Sequence, residues 1–299
     1  MANNSNSAIS FTKRTDFLAQ LRQHSAKNTR KAWDVIVIGG GIVGAGVLQE
    51  ARRRGLSALL IEQQDFAWGT SSRSSKMVHG GLRSIAPGDI KLPKQSLQER
   101  ERLLKEAPGL IERMGYYFVL KQGQIPGRFI MNTLLWLYDW LAGIKDHRFF
   151  NVSQTIKEFP GLNSKTLKGS CYYTDSTVDD SRLVMRVLQE SINAGAQAIN
   201  YIKATSLVKN PHTQQVIGVN IQDNSPHAPS TEIFPLKSKV VINATGAWAD
   251  KLRNEGVTEQ RVRPLRGSHV VVAKATLPVN SALTLLHSAD KRPVFDEFV

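Results

Sequence analysis

"DVIVIGGGIVGAGVLQEARRRGLSALLIE", residues 34–62, reads as a strand, a glycine turn, a helix and a second strand. Residues 34–38 form a β-branched apolar run of the kind found in strands buried on both faces. A helix is expected over about 42–54, ending at Gly55, a residue suited to a left-handed cap. Ala58–Ile61 is then a second buried strand with Glu62 at its end. Gly39, Gly41 and Gly44 carry the G-x-G-x-x-G spacing between strand and helix, the context in which that pattern is informative. The first glycine permits the tight turn, the second removes a side chain where a pyrophosphate approaches the backbone, and the third lets helix and strand pack closely. Free N–H groups and the positive helix end then face the phosphates. Glu62 is placed to accept hydrogen bonds from both ribose hydroxyls of an adenosine. The combination predicts a bound dinucleotide. A turn that serves packing alone is the bland alternative, and NAD and FAD sites share the fingerprint. An NADP site is disfavoured because Glu62 would repel the 2′-phosphate.

"GTSSRSSKMVHGGLR", residues 69–83, begins seven residues after Glu62 and so leaves the same sheet edge. It offers small donors in one place: Thr70, Ser71, Ser72, Ser74 and Ser75, and the Gly80-Gly81 pair with unshielded amides. A flavin continues beyond its pyrophosphate into a polyhydroxyl chain and a ring edged with carbonyls and nitrogens, for which hydroxyls and amides are the fitting donors. A nicotinamide has less use for such a segment. A serine-rich surface turn or an unrelated phosphate nest is the competing reading. "INATGAW", residues 242–248, adds a strand ending in Ala244, Thr245 and Gly246, small residues that let backbone pass close to a ligand.

The totals are compatible with this. A chain of 299 residues with 41% hydrophobic content holds two packed units or one large α/β unit. The 39 Lys and Arg against 25 Asp and Glu give a formal charge of +14, which favours phosphate ligands, anionic membrane surfaces or nucleic acid. The basic residues form no single stripe interleaved with aromatics, so no nucleic-acid partner is expected. A lone Cys171 excludes an internal disulfide and a cysteine metal cage, and no metal site is expected. Residues 1–32, with Lys13, Arg14, Arg22, Lys27, Arg30 and Lys31 against Asp16, read as a basic, partly disordered arm; a membrane-surface or targeting segment is the alternative.

Elsewhere, residues 88–115 look charged and helical, with a break at Pro108. "FIMNTLLWLYDWLAGI", residues 129–144, is too short and polar to cross a bilayer. As a helix it would present Ile130, Leu134, Leu137 and Leu141 to a core, with Trp136 and Trp140 beside them. The minority reading is shallow insertion at a membrane interface, aided by Arg128, Lys145 and Arg148. Asp179 or Asp180 would cap a helix running to about Asn193, closed by Gly195. Runs at 198–208, 215–222 and 231–242 suggest three strands.

With these segments in hand, the chain resembles the FAD-dependent, respiratory glycerol-3-phosphate dehydrogenases among the D-amino-acid-oxidase-like flavoproteins. "DVIVIGGGIVGAG", "GTSSRSSKMVHGGLR", "TVDDSRLV", "VINATGAWAD" and "RGSHVVV" follow that family's motifs in order. The resemblance spans roughly residues 33–299, loosely over 115–170 and 250–260. It implies an α/β fold: a Rossmann-like FAD-binding domain from 33–85 and 165–260, and an incomplete α+β substrate or cap domain from 86–164 and 261–299. It implies FAD as cofactor, oxidation of sn-glycerol 3-phosphate to dihydroxyacetone phosphate, and quinone as electron acceptor. The implied location is cytoplasmic, with peripheral attachment to an anionic inner membrane face left open. Gly39, Gly41, Gly44 and Glu62 would hold the ADP half; Thr70, Ser71, Ser72, Ser75, Lys76, His79, Gly80 and Gly81 would lie along the flavin, with Ala204 near the adenine. Arg83 matches an arginine at the substrate phosphate, and its fixed fork suits that group. His269 matches a histidine beside the substrate, where an imidazole is suited to take the hydroxyl proton. Ser84 stands where many members have tyrosine. The chain ends at "KRPVFDEFV", whereas the family pattern continues with another arginine, a phosphate-binding lysine and a glycine-rich segment, so a shortened chain is expected. An amine or 2-hydroxy-acid oxidase, or a catalytically silent fragment of the fold, remains as an alternative.

Overall fold

The computed structural model describes residues 11–27, 32–85, 88, 90–226, 232–253, 260–276, 279–286 and 293–296. Helices run over Phe11–Lys27 (α1), Ile42–Arg53 (α2), Leu82–Ile85 (α3), Lys91–Glu106 (α4), Arg128–Ala142 (α5), Val152–Glu158 (α6), Asp180–Asn193 (α7) and Ala249–Arg253 (α8). Strands run over Trp33–Ile38 (β1), Ala58–Ile61 (β2), Met77–Val78 (β3), Ile111–Lys121 (β4), Arg148–Phe150 (β5), Leu167–Val178 (β6), Gln197–Ile199 (β7), Ile202–Lys209 (β8), Val216–Asp223 (β9), Ile233–Asn243 (β10), Ala282–Leu286 (β11) and Pro293–Asp296 (β12). They form two compact units, residues 1–74 with 180–267 and residues 75–179 with 268–299. The division falls after Ser74 and after Asp179, not near 85 and 165, because β6 pairs with both β3 and β4 inside the second unit.

In the first unit the strand order is β7-β2-β1-β10-β9-β8. β1 lies between β2 and β10, parallel to both, with Ile36 opposite Leu59 and Val241. Its alternating side chains divide between two cores. Val35 and Val37, with Ala58 and Leu60, pack on Ala45, Leu48 and Ala51 of α2 and on Val184 and Leu188 of α7. Ile36 and Ile38, with Leu59 and Ile61, pack on Val219, Ile221, Phe234 and Leu236. That second contact is possible because β10 changes partner along its length. Ile233–Lys237 pair antiparallel with β9, whereas Ser238–Asn243 pair parallel with β1. Helix α2 ends as the sequence implies: Gly55 takes a φ of +75° and Leu56 N–H donates to Ala51 O at 3.0 Å.

Part of the supposed basic arm is helix α1, which inserts Leu18 and Leu21 into the same core as Ile36. The sequence misleads here because the docking face is short, Leu18 and Leu21 with Phe17 packed beside them, while most other positions of the helix are polar.

In the second unit the order is β12-β11-β4-β6-β3, with β5 also on β6. Residues 111–115, expected to end a charged helical stretch, instead begin strand β4, held along its length by antiparallel pairing with β6. Helices α4 and α5 contribute Leu97, Met131, Leu135 and Tyr138 to a core with Tyr116 and Tyr173. The buried stripe of α5 is thus centred on Met131, Leu135 and Tyr138, about one residue on from the expected one. Leu134, Leu137 and Leu141 flank it, Ile130 is half exposed, and Trp136 and Trp140 face outward. Two polar side chains account for the rotation, since each finds partners inside. Tyr138 OH donates toward both oxygens of Asp175, and Asp139 Oδ2 accepts from the N–H groups of Asp146 and His147.

Asp175 is the centre of a buried polar cluster. Arg100, with no exposed side-chain surface, donates from Nη1 to Asp175 Oδ1 at 2.7 Å and to Thr174 O at 3.2 Å. Gly80 N–H donates to Asp175 Oδ1 at 3.1 Å and to Tyr138 OH at 2.9 Å. Removing one partner of such a pair strands a charge in a dry interior. Arg100→Ala is expected to lower stability by about 3–5 kcal/mol in urea denaturation, and combining it with Asp175→Leu to recover part of that loss.

Candidate functional site

The turn after β1 is built by close approaches that only glycine allows. Gly39 has a φ of +114°, and a Cβ there would stand 2.5 Å from Ala244 O. A Cβ on Gly44 would stand 1.9 Å from Gly39 O, so the start of α2 presses directly on the turn. At Gly41 a Cβ would meet Ser71 Oγ at 2.9 Å. That hydroxyl accepts from Ile42 N–H at 3.0 Å, satisfying one of the amides that the first turn of α2 cannot bond internally.

Glu62 ties this turn to the end of β2. Its Oε2 accepts from Gly40 N–H at 2.7 Å and its Oε1 from Gln64 N–H at 2.8 Å. Each carboxylate oxygen has a second acceptor site, which leaves capacity for a diol. The carboxylate borders a cleft of about 650 Å³ within the first unit. Gly39 and Gly41, Thr70 and Ser71, Ile202–Thr205, and Thr245–Trp248 form its other walls.

Of the cofactor residues expected from sequence, Gly39, Gly41, Glu62, Thr70, Ser71, Ala204, Thr245 and Gly246 line this cleft. Gly44 lies behind it as a packing contact, and Ser72 Oγ donates back to Gly69 O at 3.4 Å. The Thr245 hydroxyl and backbone N–H both donate to Asn243 Oδ1, at 2.6 and 3.2 Å, and its carbonyl accepts from Trp248 N–H at 3.1 Å, so this residue shapes the wall with its own bonds already made.

From Ser75 onward the serine-rich ribbon belongs to the second unit. Ser75 is exposed. Lys76, with a φ of +55°, accepts at its carbonyl from Val178 N–H at 2.8 Å. His79 is exposed and borders a hollow of about 440 Å³ with Gln95, Ser96 and Glu99. Gly81 has a φ of +77°. Gly80 is buried, and its amide, expected to be open to a ligand, is taken by Tyr138 and Asp175; a Cβ there would lie 2.2 Å from Leu97 Cδ2. Packing therefore explains this glycine. Arg83 sits in α3, but its side chain and that of Ser84 lie outside the described part of the structure. His269, expected beside the substrate, is exposed in an irregular segment over 260–273 and has no hydrogen-bond partner among the described residues.

Sequence reasoning missed the aromatic wall. Trp68 and Trp248 both line the cleft, with ring centroids 6.0 Å apart and planes at 41°. The Arg73 guanidinium lies 4.9 Å from the Trp68 ring centroid, and a Cβ on Gly69 would come within 3.1 Å of Trp248. The signal was present: each tryptophan adjoins one of the small-residue turns already marked as ligand-facing.

The fit to an adenine dinucleotide rests on the donor set. A helix N-terminus faces the cleft with its backbone amides, a carboxylate with spare acceptor sites stands at the neighbouring strand end, and glycines keep side chains out of the turn between them.

Comparison with known proteins agrees. The family model described as FAD dependent oxidoreductase matches residues 34–295. The chain is 34% identical over 268 residues to the aerobic glycerol-3-phosphate dehydrogenase of Staphylococcus haemolyticus, covering 88% of this chain and 47% of that protein. A solved structure of glycerol-3-phosphate dehydrogenase from Bacillus halodurans, complexed with FAD, superposes with a TM-score of 0.66 at 27% identity, covering 92% of this chain and 47% of that one. L-proline dehydrogenase from P. horikoshii, at 16% identity and a TM-score of 0.62, shares the fold. The chain spans about half the length of the curated relatives it matches.

Gly41→Val places a branched side chain against Ser71 Oγ and over the amide end of α2. It is expected to abolish FAD retention on purification, read as loss of visible flavin absorbance, while far-UV circular dichroism keeps its shape.

Proposed function

Because the chain belongs to the family of FAD-dependent oxidoreductases, we propose that it serves the oxidation of sn-glycerol 3-phosphate to dihydroxyacetone phosphate, with electrons passed on to a quinone. The observation that carries this reading is the cleft walled by the glycine turn, Glu62 and Ser71, in a chain 34% identical to aerobic glycerol-3-phosphate dehydrogenases. FAD, when bound, supplies the acceptor for a hydride from C2 of the alcohol. The chain's own residues do the rest. The amide end of α2 holds the pyrophosphate and the Glu62 carboxylate holds the adenosine ribose. Ser75, Lys76, His79 and Gly81 belong to the ribbon assigned to the flavin side. Arg83 takes the substrate phosphate by its fork of donors, and His269 takes the proton from the C2 hydroxyl.

A lipid-soluble quinone is met at a membrane surface. No described helix is long and apolar enough to cross a membrane. Helix α5 offers another contact: Phe129, Trp136 and Trp140 are 84%, 62% and 67% exposed. Their spacing puts them on one helical face, and Arg128 stands beside them at the helix start. Tryptophan and arginine together suit the headgroup layer of an anionic bilayer.

The substrate reading is tested by adding glycerol 3-phosphate anaerobically to the FAD-loaded chain. The visible flavin band is expected to bleach, glycerol and 2-hydroxy acids to leave it unchanged, and Arg83→Ala to raise the half-saturating concentration about tenfold to a hundredfold. No bleaching by glycerol 3-phosphate would refute it. The surface reading is tested by sedimentation with phosphatidylglycerol vesicles. Co-sedimentation is expected for the native chain and its loss for Trp136→Ser with Trp140→Ser; equal sedimentation of both would refute this role of α5.

A further inference from the structure

Arg14, on α1, reaches the turn at residues 200–201. Its Nε donates to Asn200 O at 3.0 Å, and its Nη2 donates to Tyr201 O at 3.3 Å and to Asp223 Oδ1 at 2.7 Å. Both charges are nearly removed from water, with side-chain exposures of 12% for Arg14 and 3% for Asp223. The guanidinium also lies 5.9 Å from the Tyr201 ring centroid.

The turn so held is the one that fixes Glu62. Glu62 N–H donates to Ile199 O at 3.0 Å, and Glu62 O accepts from Ile202 N–H at 2.7 Å, so its backbone straddles residues 200 and 201. Tyr201 N–H donates to Gln64 O at 3.0 Å and Asn200 Nδ2 to Asp65 Oδ1 at 2.9 Å. Asn224 N–H donates at 2.8 Å to the same Tyr201 oxygen that Arg14 holds, and Asn224 Nδ2 donates to Gln63 O at 3.0 Å. Tyr201 has a φ of +54°, in the left-handed region that a bulky side chain occupies only when its surroundings enforce it. Directly after it, Ile202–Thr205 enter the cleft wall.

We propose that Arg14 is a positioning residue for the cofactor: α1, which lines no part of the cleft, sets through the 200–201 turn where the Glu62 carboxylate and the Ile202–Ala204 wall stand. The affinity for the adenosine end of a dinucleotide follows from that placement. The proposal rests on the cleft being the FAD site. Leu18 and Leu21 dock α1 independently of Arg14, so the side chain can be removed with the helix left in place.

The test uses the full chain as wild type, Arg14→Ala, Arg14→Lys, Glu62→Ala and the Arg14→Ala/Glu62→Ala double variant. Titration calorimetry well below the melting transition gives affinities for FAD, ADP and FMN, and amide exchange is followed at Tyr201 and Ile202. Arg14→Ala is expected to speed exchange at both amides and to weaken FAD and ADP alike by about tenfold. FMN, which lacks the adenosine, is unaffected, and Arg14→Lys retains part of the affinity. In the Glu62→Ala background the Arg14 substitution costs less than in the wild type, because the carboxylate it positions is gone and only the Ile202–Ala204 wall is left to displace. Unchanged FAD and ADP affinities in a folded Arg14→Ala chain, or full additivity of the two substitutions, overturns the proposal. A wild-type chain that binds neither FAD nor ADP overturns the cofactor reading and this role with it, a failure seen before any substitution is made.

Discussion

The carboxylate of Glu62 accepts one N–H from the glycine turn and one from the segment after β2, and the cleft of the first unit is organised around that bridge. β1 and β2 are parallel neighbours, so their C-terminal ends open on one sheet edge. Two backbone segments leave that edge together, and without a shared acceptor their amides would compete for water in the mouth of the cleft. The bridge fixes the turn, the turn fixes the start of α2 through the contact of Gly44 with Gly39 O, and the helix start presents its amides where phosphates can be met. Ser71 adds a hydroxyl to the same helix end from a different stretch of chain.

The second unit solves a different problem, that of burying polar groups. β6 carries Asp175 into a dry core, where Arg100, Tyr138 and the Gly80 amide together satisfy it. Each donor comes from a different element, so the cluster pins α4, α5 and the end of the serine-rich ribbon to one strand. Good geometry at every member is what makes such a cluster tolerable in low dielectric.

Local features were legible in the sequence, and features set by distant partners were not. The strand, turn, helix and strand over 34–62 are decided by neighbours in the chain: β-branched runs, glycine spacing and the cap at Gly55. The structure places β1, α2 and β2 within a residue or so of expectation. Helix α7 and its closure before Gly195 are of the same kind. By contrast, "IERMGYYFVLK" follows a charged helix without a clear period, and only its long pairing with β6 makes it a strand. Tyr138 and Asp139 look like the polar side of α5 because nothing nearby reveals Asp175 or the amides that receive them. For the site, glycine spacing and Glu62 were readable because the chemistry demands those residue types. The tryptophan wall, the occupied amide of Gly80 and the brace from Arg14 depend on contacts between segments far apart in sequence.

In the proposed site the Glu62 carboxylate and the amide end of α2 hold the two halves of one adenosine diphosphate group. The most direct measurement is a crystal structure of the chain grown with FAD. The account predicts density with the adenosine ribose hydroxyls on the Glu62 oxygens and the pyrophosphate against Gly41 and Ile42. Density for FAD elsewhere, with Glu62 touching no part of it, would contradict it.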